Sequence, residues 1–198
     1  MSTGTCATLT ACFLAVLLIA PVSAGQLEDA ATAYAKQDYP TALKLWRRLA
    51  EKGNAEAQNR IGTMYYLGKG VKQDETEAVK WFRRAADRGY ANAQINLAVA
   101  YREGHGGVKR DLAQAAKWYR RAAEQGNALA QNNLAVMYSK GEGVAQDFVQ
   151  AHMWYNVSAA QGNNAAKKNR DRLTPTMTAA LVEEAQRLAW EWKPKTKQ

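Results

Sequence analysis

Glycine recurs at Gly53, Gly89, Gly126 and Gly162, at spacings of 36, 37 and 36 residues. A chain that repeats at such a period puts equivalent residues into equivalent structural slots, so it folds as stacked copies of one unit. Other positions keep the same step. Ala57-Gln58, Ala93-Gln94 and Ala130-Gln131 follow the first three glycines, then come Ile61, Leu97 and Leu134, and then Tyr65, Tyr101 and Tyr138. Gly68, Gly104 and Gly141 open a loop that runs to Val71, Val108 and Val144 and closes at Asp74, Asp111 and Asp147. Ala78, Ala115 and Ala151, with Trp81, Trp118 and Trp154, complete the unit. The single inserted residue falls in Gly104-His-Gly-Gly107, where a loop absorbs it.

Each unit reads as two helices. Between Asn54 and Leu67 the apolar residues Ala57, Ile61, Met64 and Tyr65 fall at i, i+4, i+7 and i+8, one face of a helix. Asn54 and Asn127 are suited to cap its start, and Gly68 or Gly141 to end it in the left-handed conformation. The second helix opens at Asp74, Asp111 or Asp147, each with Glu77, Gln114 or Gln150 three residues on, which is the spacing of a capping box. Its buried face is Ala78, Trp81, Phe82 and Ala85. A helix of about 14 residues is roughly 21 Å long, and a lone pair leaves one side of its apolar stripe wet. Stacking of consecutive pairs into a solenoid removes that exposure.

The ends depart from the unit. Asp38, Ala42, Lys44 and Trp46 match Asp74, Ala78, Lys80 and Phe82, so residues 38–52 read as a second helix whose partner is 27–37. Residues 163–173 begin like a first helix but carry Lys167 in the glutamine slot and Arg170 in the leucine slot. Thr174-Pro175 is then expected to cap a last helix with Leu181, Ala185, Leu188, Ala189 and Trp192 on its apolar side, a lid on the stack. The division expected is a signal peptide at 1–24, a solenoid of about three full and two partial units at 25–173, a capping helix at 174–192 and a disordered tail at 193–198.

The first segment bears on compartment. An apolar run, Ala11 to Ala20, is closed by Pro21 and by Val22-Ser23-Ala24, and it is shorter than the roughly 20 residues that span a bilayer. Export with cleavage after Ala24 is the expectation, giving a periplasmic or secreted protein with no transmembrane span in the mature chain. Both cysteines, Cys6 and Cys12, lie in that segment, so beyond it the chain has no disulfide and no thiol nucleophile. The 27 Lys+Arg against 18 Asp+Glu give a formal charge of +9, which favours acidic partners. Nucleic acid is not expected of an exported protein.

From Gly126 to Asp147 the chain reads Gly-Asn-Ala-x-Ala-Gln-x-x-Leu-Ala-x-Met-Tyr-x-x-Gly-x-Gly-Val-x-x-Asp. This string resembles the Sel1-like repeat, a relative of the tetratricopeptide repeat, over roughly residues 38–172. Ala185 to Pro194 is similar to a tail common in exported bacterial members. The resemblance implies an all-α, α/α superhelical solenoid that holds protein partners without catalysis. A minority of exported relatives are described as penicillin-binding or β-lactamase-like. The absence of cysteine after Cys12 and of a Ser-x-x-Lys pair at Ser139 or Ser158 leaves that hydrolase reading remote.

Two surfaces are candidates for binding. On the first helices, the positions that vary between units are Asn59, Thr63 and Tyr66; Ile95, Val99 and Arg102; and Asn132, Val136 and Ser139. If the stack curves as its relatives do, this stripe lines a concave groove for a protein segment, with inter-repeat packing the other reading, foremost at Ile95 and Val99. On the second helices, Lys44, Arg47 and Arg48; Lys80, Arg83 and Arg84; and Lys117, Arg120 and Arg121 form a basic ladder. It is either a solvated face, neutralised by Glu51, Asp87 and Glu124, or a strip for anionic envelope components. No cofactor or metal is expected. His105 and His152 are the only histidines and lie far apart in sequence, and the Gly-x-Gly loops follow helices, whereas phosphate loops precede them.

Overall fold

A computed structural model describes residues 22–195. The expected leader up to residue 21, with both cysteines, and residues 196–198 lie outside the described residues. Among the described residues ten α-helices follow one another: α1 (Val22–Ala35), α2 (Tyr39–Glu51), α3 (Ala55–Leu67), α4 (Glu75–Asp87), α5 (Ala91–Glu103), α6 (Leu112–Glu124), α7 (Ala128–Lys140), α8 (Phe148–Ala160), α9 (Asn164–Leu173) and α10 (Ala179–Glu191). Among the described residues there is no strand, and no helix is long and apolar enough to cross a membrane.

Each helix up to α9 packs chiefly on its neighbours in sequence, as an antiparallel solenoid requires. The expected caps form. Asn54 and Asn127 accept the backbone N–H of Ala57 and Ala130 at 2.9 and 3.1 Å. Asp74, Asp111 and Asp147 accept those of Glu77, Gln114 and Gln150 at 2.9 Å each. The reciprocal half of the capping box is replaced: the aspartate N–H groups donate to the carbonyls of Tyr65, Tyr101 and Tyr138 at 3.0, 2.8 and 3.0 Å. Glu77 is thereby released and pairs with Lys80. The glycines that define the period sit at φ +84°, +82°, +92° and +87°, a region where a side chain is strained, and this explains their recurrence.

Three other repeated residues join one pair to the next. Gln58, Gln94 and Gln131, all buried, donate to the last-turn carbonyls of Ala50, Ala86 and Ala123 in the preceding helix. Tyr65, Tyr101 and Tyr138 accept from Arg47, Arg83 and Arg120 across the same junctions, at 3.1, 2.9 and 2.8 Å. Tryptophans 46, 118 and 154 are buried in the stack.

The C-terminal end differs from expectation in two respects. Thr174–Thr176 forms a 3₁₀ turn, and α10 starts later, capped by the Thr178 hydroxyl, which accepts from Leu181 N–H at 3.4 Å. The stretch expected to fray is tied down as far as it is described: Lys195 donates its backbone N–H to the Glu124 carbonyl at 2.8 Å and its ammonium to the Glu124 carboxylate at 2.9 Å. The lid itself forms. α10 packs on α8, burying Ala185 and setting Trp192 edge-on to Trp154, ring centroids 5.6 Å apart.

Because the Asp111 carboxylate caps α6, Asp111→Ala is expected to lower unfolding stability by about 1 kcal/mol, measured by urea denaturation, while the backbone bond to Tyr101 is kept. An unchanged midpoint would refute the capping role.

Candidate functional site

The nine groove positions separate into three groups. Asn59, Ile95 and Asn132 are buried, with 6–8% of their surface exposed, and do not line a groove. The reason is the neighbouring first helix: Asn96 donates to Asn59 at 3.0 Å and Asn169 donates to Asn132 at 3.1 Å, closing the seams between α3 and α5 and between α7 and α9. Thr63, Tyr66 and Val99 are brought together on one pocket of about 200 Å³. Arg102, further along α5, and Val136 and Ser139, on α7, are half-buried.

Three elements supply the pocket. α3 gives Thr63, Tyr66 and Leu67; α4 gives Glu75, Val79 and Phe82; α5 gives Asn96, Val99 and Ala100, and His105 and Gly106 close it from the following loop. Val79 and Ala100 belong to the buried apolar cluster that runs from Val79 to Ala185, and Val99 packs against it. Gly62 lies against the Phe82 wall of the pocket: a Cβ there would come within 2.7 Å of the Phe82 ring, so the ring rests on bare α3 backbone. The equivalent slots hold Ala98 and Ala135. At the lip, Tyr66 is 44% and Leu67 49% exposed. Leu67, Val79, Phe82 and His105 also line the pocket; the repeat marks Val79 and Phe82 as core and His105 as loop, so the sequence does not single them out.

At the next step the wall is charged. Arg102 donates to Glu103 at 2.7 Å; burial works against its charge, but that bond and the nearby carboxylates of Glu103 and Glu142 hold its proton more tightly than usual. The same bond pulls the Glu103 carboxyl below the ordinary range. Ser139 donates to the Val136 carbonyl at 2.9 Å.

The ladder residues are exposed except Arg120; five of the arginines are held by neutral partners rather than by the acids expected, and Lys80 pairs with Glu77. Arg47, Arg83 and Arg120 bind the tyrosine hydroxyls already described. Arg84 and Arg121 stack on Trp81 and Trp118, 4.6 and 4.5 Å from the ring centroids. No ion pair joins Arg48, Arg84 or Arg121 to Glu51, Asp87 or Glu124 among the described residues, and Glu124 is taken by Lys195. The ladder thus has a packing role.

His152 is buried on α8, 3.2 Å from the Thr174 hydroxyl and 3.0 Å from Asn156. Burial pushes its pKa down, the Arg170 charge adds to this, and Asp171 opposes it.

These features define a class: a solenoid of α/α hairpin repeats with a helical lid and a side-chain-sized pocket between two hairpins. The chain belongs to the Sel1 repeat family, whose model matches residues 32–54, 55–90, 91–127 and 128–163. Sel1 repeats are generally protein–protein interaction modules, and the solenoid is generally a non-catalytic scaffold. Among solved structures, a protective antigen present in uropathogenic Escherichia coli strains, which displays an SLR fold, is 36% identical with a TM-score of 0.76 over 86% of this chain. A Sel1 repeat protein from Oxalobacter formigenes is 32% identical with a TM-score of 0.69 over 73%. The alignments span only 37% and 59% of those two chains. No curated protein matches the sequence.

Two outcomes follow from this geometry. Gly62→Ala gains helix propensity of about 1 kcal/mol but drives Phe82 into the pocket; partner or apolar-probe binding there is expected to fall, and a crystal structure of the variant with Phe82 unmoved would refute it. With a pKa lower folded than unfolded, His152 binds its proton more readily in the unfolded chain, so wild-type stability is expected to fall as pH drops below the ordinary histidine value. His152→Gln should flatten thermal melts between pH 7 and pH 5; an unchanged slope would assign the loss to other groups.

Proposed function

We propose that this protein is an exported, non-enzymatic adaptor of the cell envelope that grips a segment of a partner protein in the groove along α3, α5 and α7. The observation that carries the reading is the pocket of about 200 Å³ with Tyr66 and Leu67 exposed at its lip. The aromatic residues that repeat are largely spent inside the stack, whereas these two belong to no repeated slot and leave apolar surface in water. Such a pocket has the size for one aromatic or branched side chain, comparable to an apolar cavity of roughly 150 Å³ that takes benzene. The groove continues past Val99 to Arg102, Val136 and Ser139, giving an extended track.

The groups that hydrolysis would recruit are occupied. Ser139 and Ser158 both donate to backbone carbonyls, the latter to Ala128 at 2.6 Å, and His152 is buried within its own bonds. The apolar run before Pro21 supports export, and an envelope partner follows from it.

Pull-down from envelope extract with residues 25–198, followed by mass spectrometry, identifies the partner, and calorimetry then measures it. Tyr66→Ala and Val99→Asp are each expected to weaken binding by tenfold or more, the effect of losing an anchor worth about 2 kcal/mol, with little change between low and physiological salt. Binding indifferent to both variants but abolished by salt and by reversing Arg84 and Arg121 would replace the groove with the ladder. A mature N-terminus at Met1 would remove the exported role.

A further inference from the structure

We propose that the cleft between α9 and α10 is a second docking site, separate from the groove, and that its occupant is an acidic segment of a partner protein carrying an apolar side chain. The cleft exists because α10 turns back onto α8 instead of lying along α9. It measures about 400 Å³, with Val157 and Ala160 of α8 as its floor, Lys167 and Arg170 of α9 as one wall and Ala189 and Trp190 of α10 as the other.

The two walls are chemically different. Lys167 and Arg170 occupy the slots that hold Gln58 and Ile61, Gln94 and Leu97, and Gln131 and Leu134 in the earlier units. Those residues are buried, while Lys167 is exposed and Arg170 half-buried. Asn156 on the cleft side accepts from the Arg170 guanidinium at 3.2 Å, and Asp171 also binds it, so its position is fixed. Lys167 makes no ion pair among the described residues, and on α9 the bases Lys167, Lys168, Arg170 and Arg172 face the single acid Asp171. The wall is therefore a net cation. Opposite it, Trp190 is 89% exposed, while Trp192, two residues on, is packed on Trp154. Neither the repeat nor the lid uses the Trp190 indole.

A cationic wall facing an indole across an apolar floor is complementary to a segment that presents a carboxylate on one side and an apolar side chain on the other. The formal charge of +9 favours the encounter with an acidic segment.

The test uses residues 25–198 and two synthetic peptides, one alternating Glu and Leu and the other alternating Gln and Leu, measured by calorimetry beside vesicles of phosphatidylglycerol. The Glu peptide is expected to bind at least tenfold more tightly than the Gln peptide. Trp190→Ala and Lys167→Glu should each weaken it tenfold or more with unchanged thermal melts, and Trp190→Phe should restore much of the loss. Tyr66→Ala should leave it intact, which separates failure here from failure of the groove. No measurable binding of the Glu peptide, equal binding of both peptides, indifference to Trp190→Ala and Lys167→Glu, or binding of vesicles in place of peptide would each overturn the proposal, the last in favour of a lipid surface.

Discussion

The structure depends on the junction between the second helix of one pair and the first helix of the next. A helix ends with carbonyls that have no partner within it, and a carbonyl oxygen can take two donors. At Ala50, Ala86 and Ala123 one donor is the turn N–H of Gly53, Gly89 or Gly126 and the other is the side chain of Gln58, Gln94 or Gln131, so the turn that ends one helix is also where its neighbour docks. Gln94 and Gln131 also accept from Gln125 and Gln161 of the helix beyond, which links three helices through one amide. At the first junction Arg88 stands where Gln125 and Gln161 stand later, and the Gln58 side-chain oxygen has no partner among the described residues. The N-terminal junction is thus the less completely bonded copy.

Ending the stack required editing this device. α8 should carry Lys-x-x-Arg-Arg but has Met153, Asn156 and Val157 in those slots, because α10 covers that face and a charge there would be desolvated. Beyond it, α9 gives up the glutamine and leucine slots to Lys167 and Arg170, since α10 lies on α8 and no glutamine bond or aliphatic contact is called for there. Substitution of the repeat and placement of the lid are two views of one packing change.

The solenoid was legible in the sequence because a 36-residue period with helical spacing fixes which face each side chain takes, and three copies supply the same answer. The caps were legible for the same reason. Three groove positions were not: a stripe at i, i+4 and i+7 says that Asn59, Ile95 and Asn132 share a side with Thr63 or Val99, but not that the next first helix covers its lower half. The pocket was hidden because Phe82, Val99 and His105 come from three elements, and Phe82 takes its place against Gly62, where a methyl group would collide with the ring. The ladder was read as a charge pattern, while its arginines answer to aromatic partners across the junctions, a relation that charge counting does not reveal.

What the repeat holds in common is consumed by stacking, so information about a partner must reside where copies differ. The last turn of each first helix faces the loop that follows the next one: Tyr66 shares the pocket with His105, and Arg102 lies within reach of the Glu142 charge. The loop slots are equivalent, yet one step is apolar and the next is an ionic wall reinforced by Glu103. A helix-pair repeat advances by a short, fixed step, so a segment lying along it would meet the two environments in a set order. In the proposed groove such a track would distinguish the two directions of a bound chain, with the apolar pocket beside Phe82 at one step and the Arg102–Glu103 pair at the next.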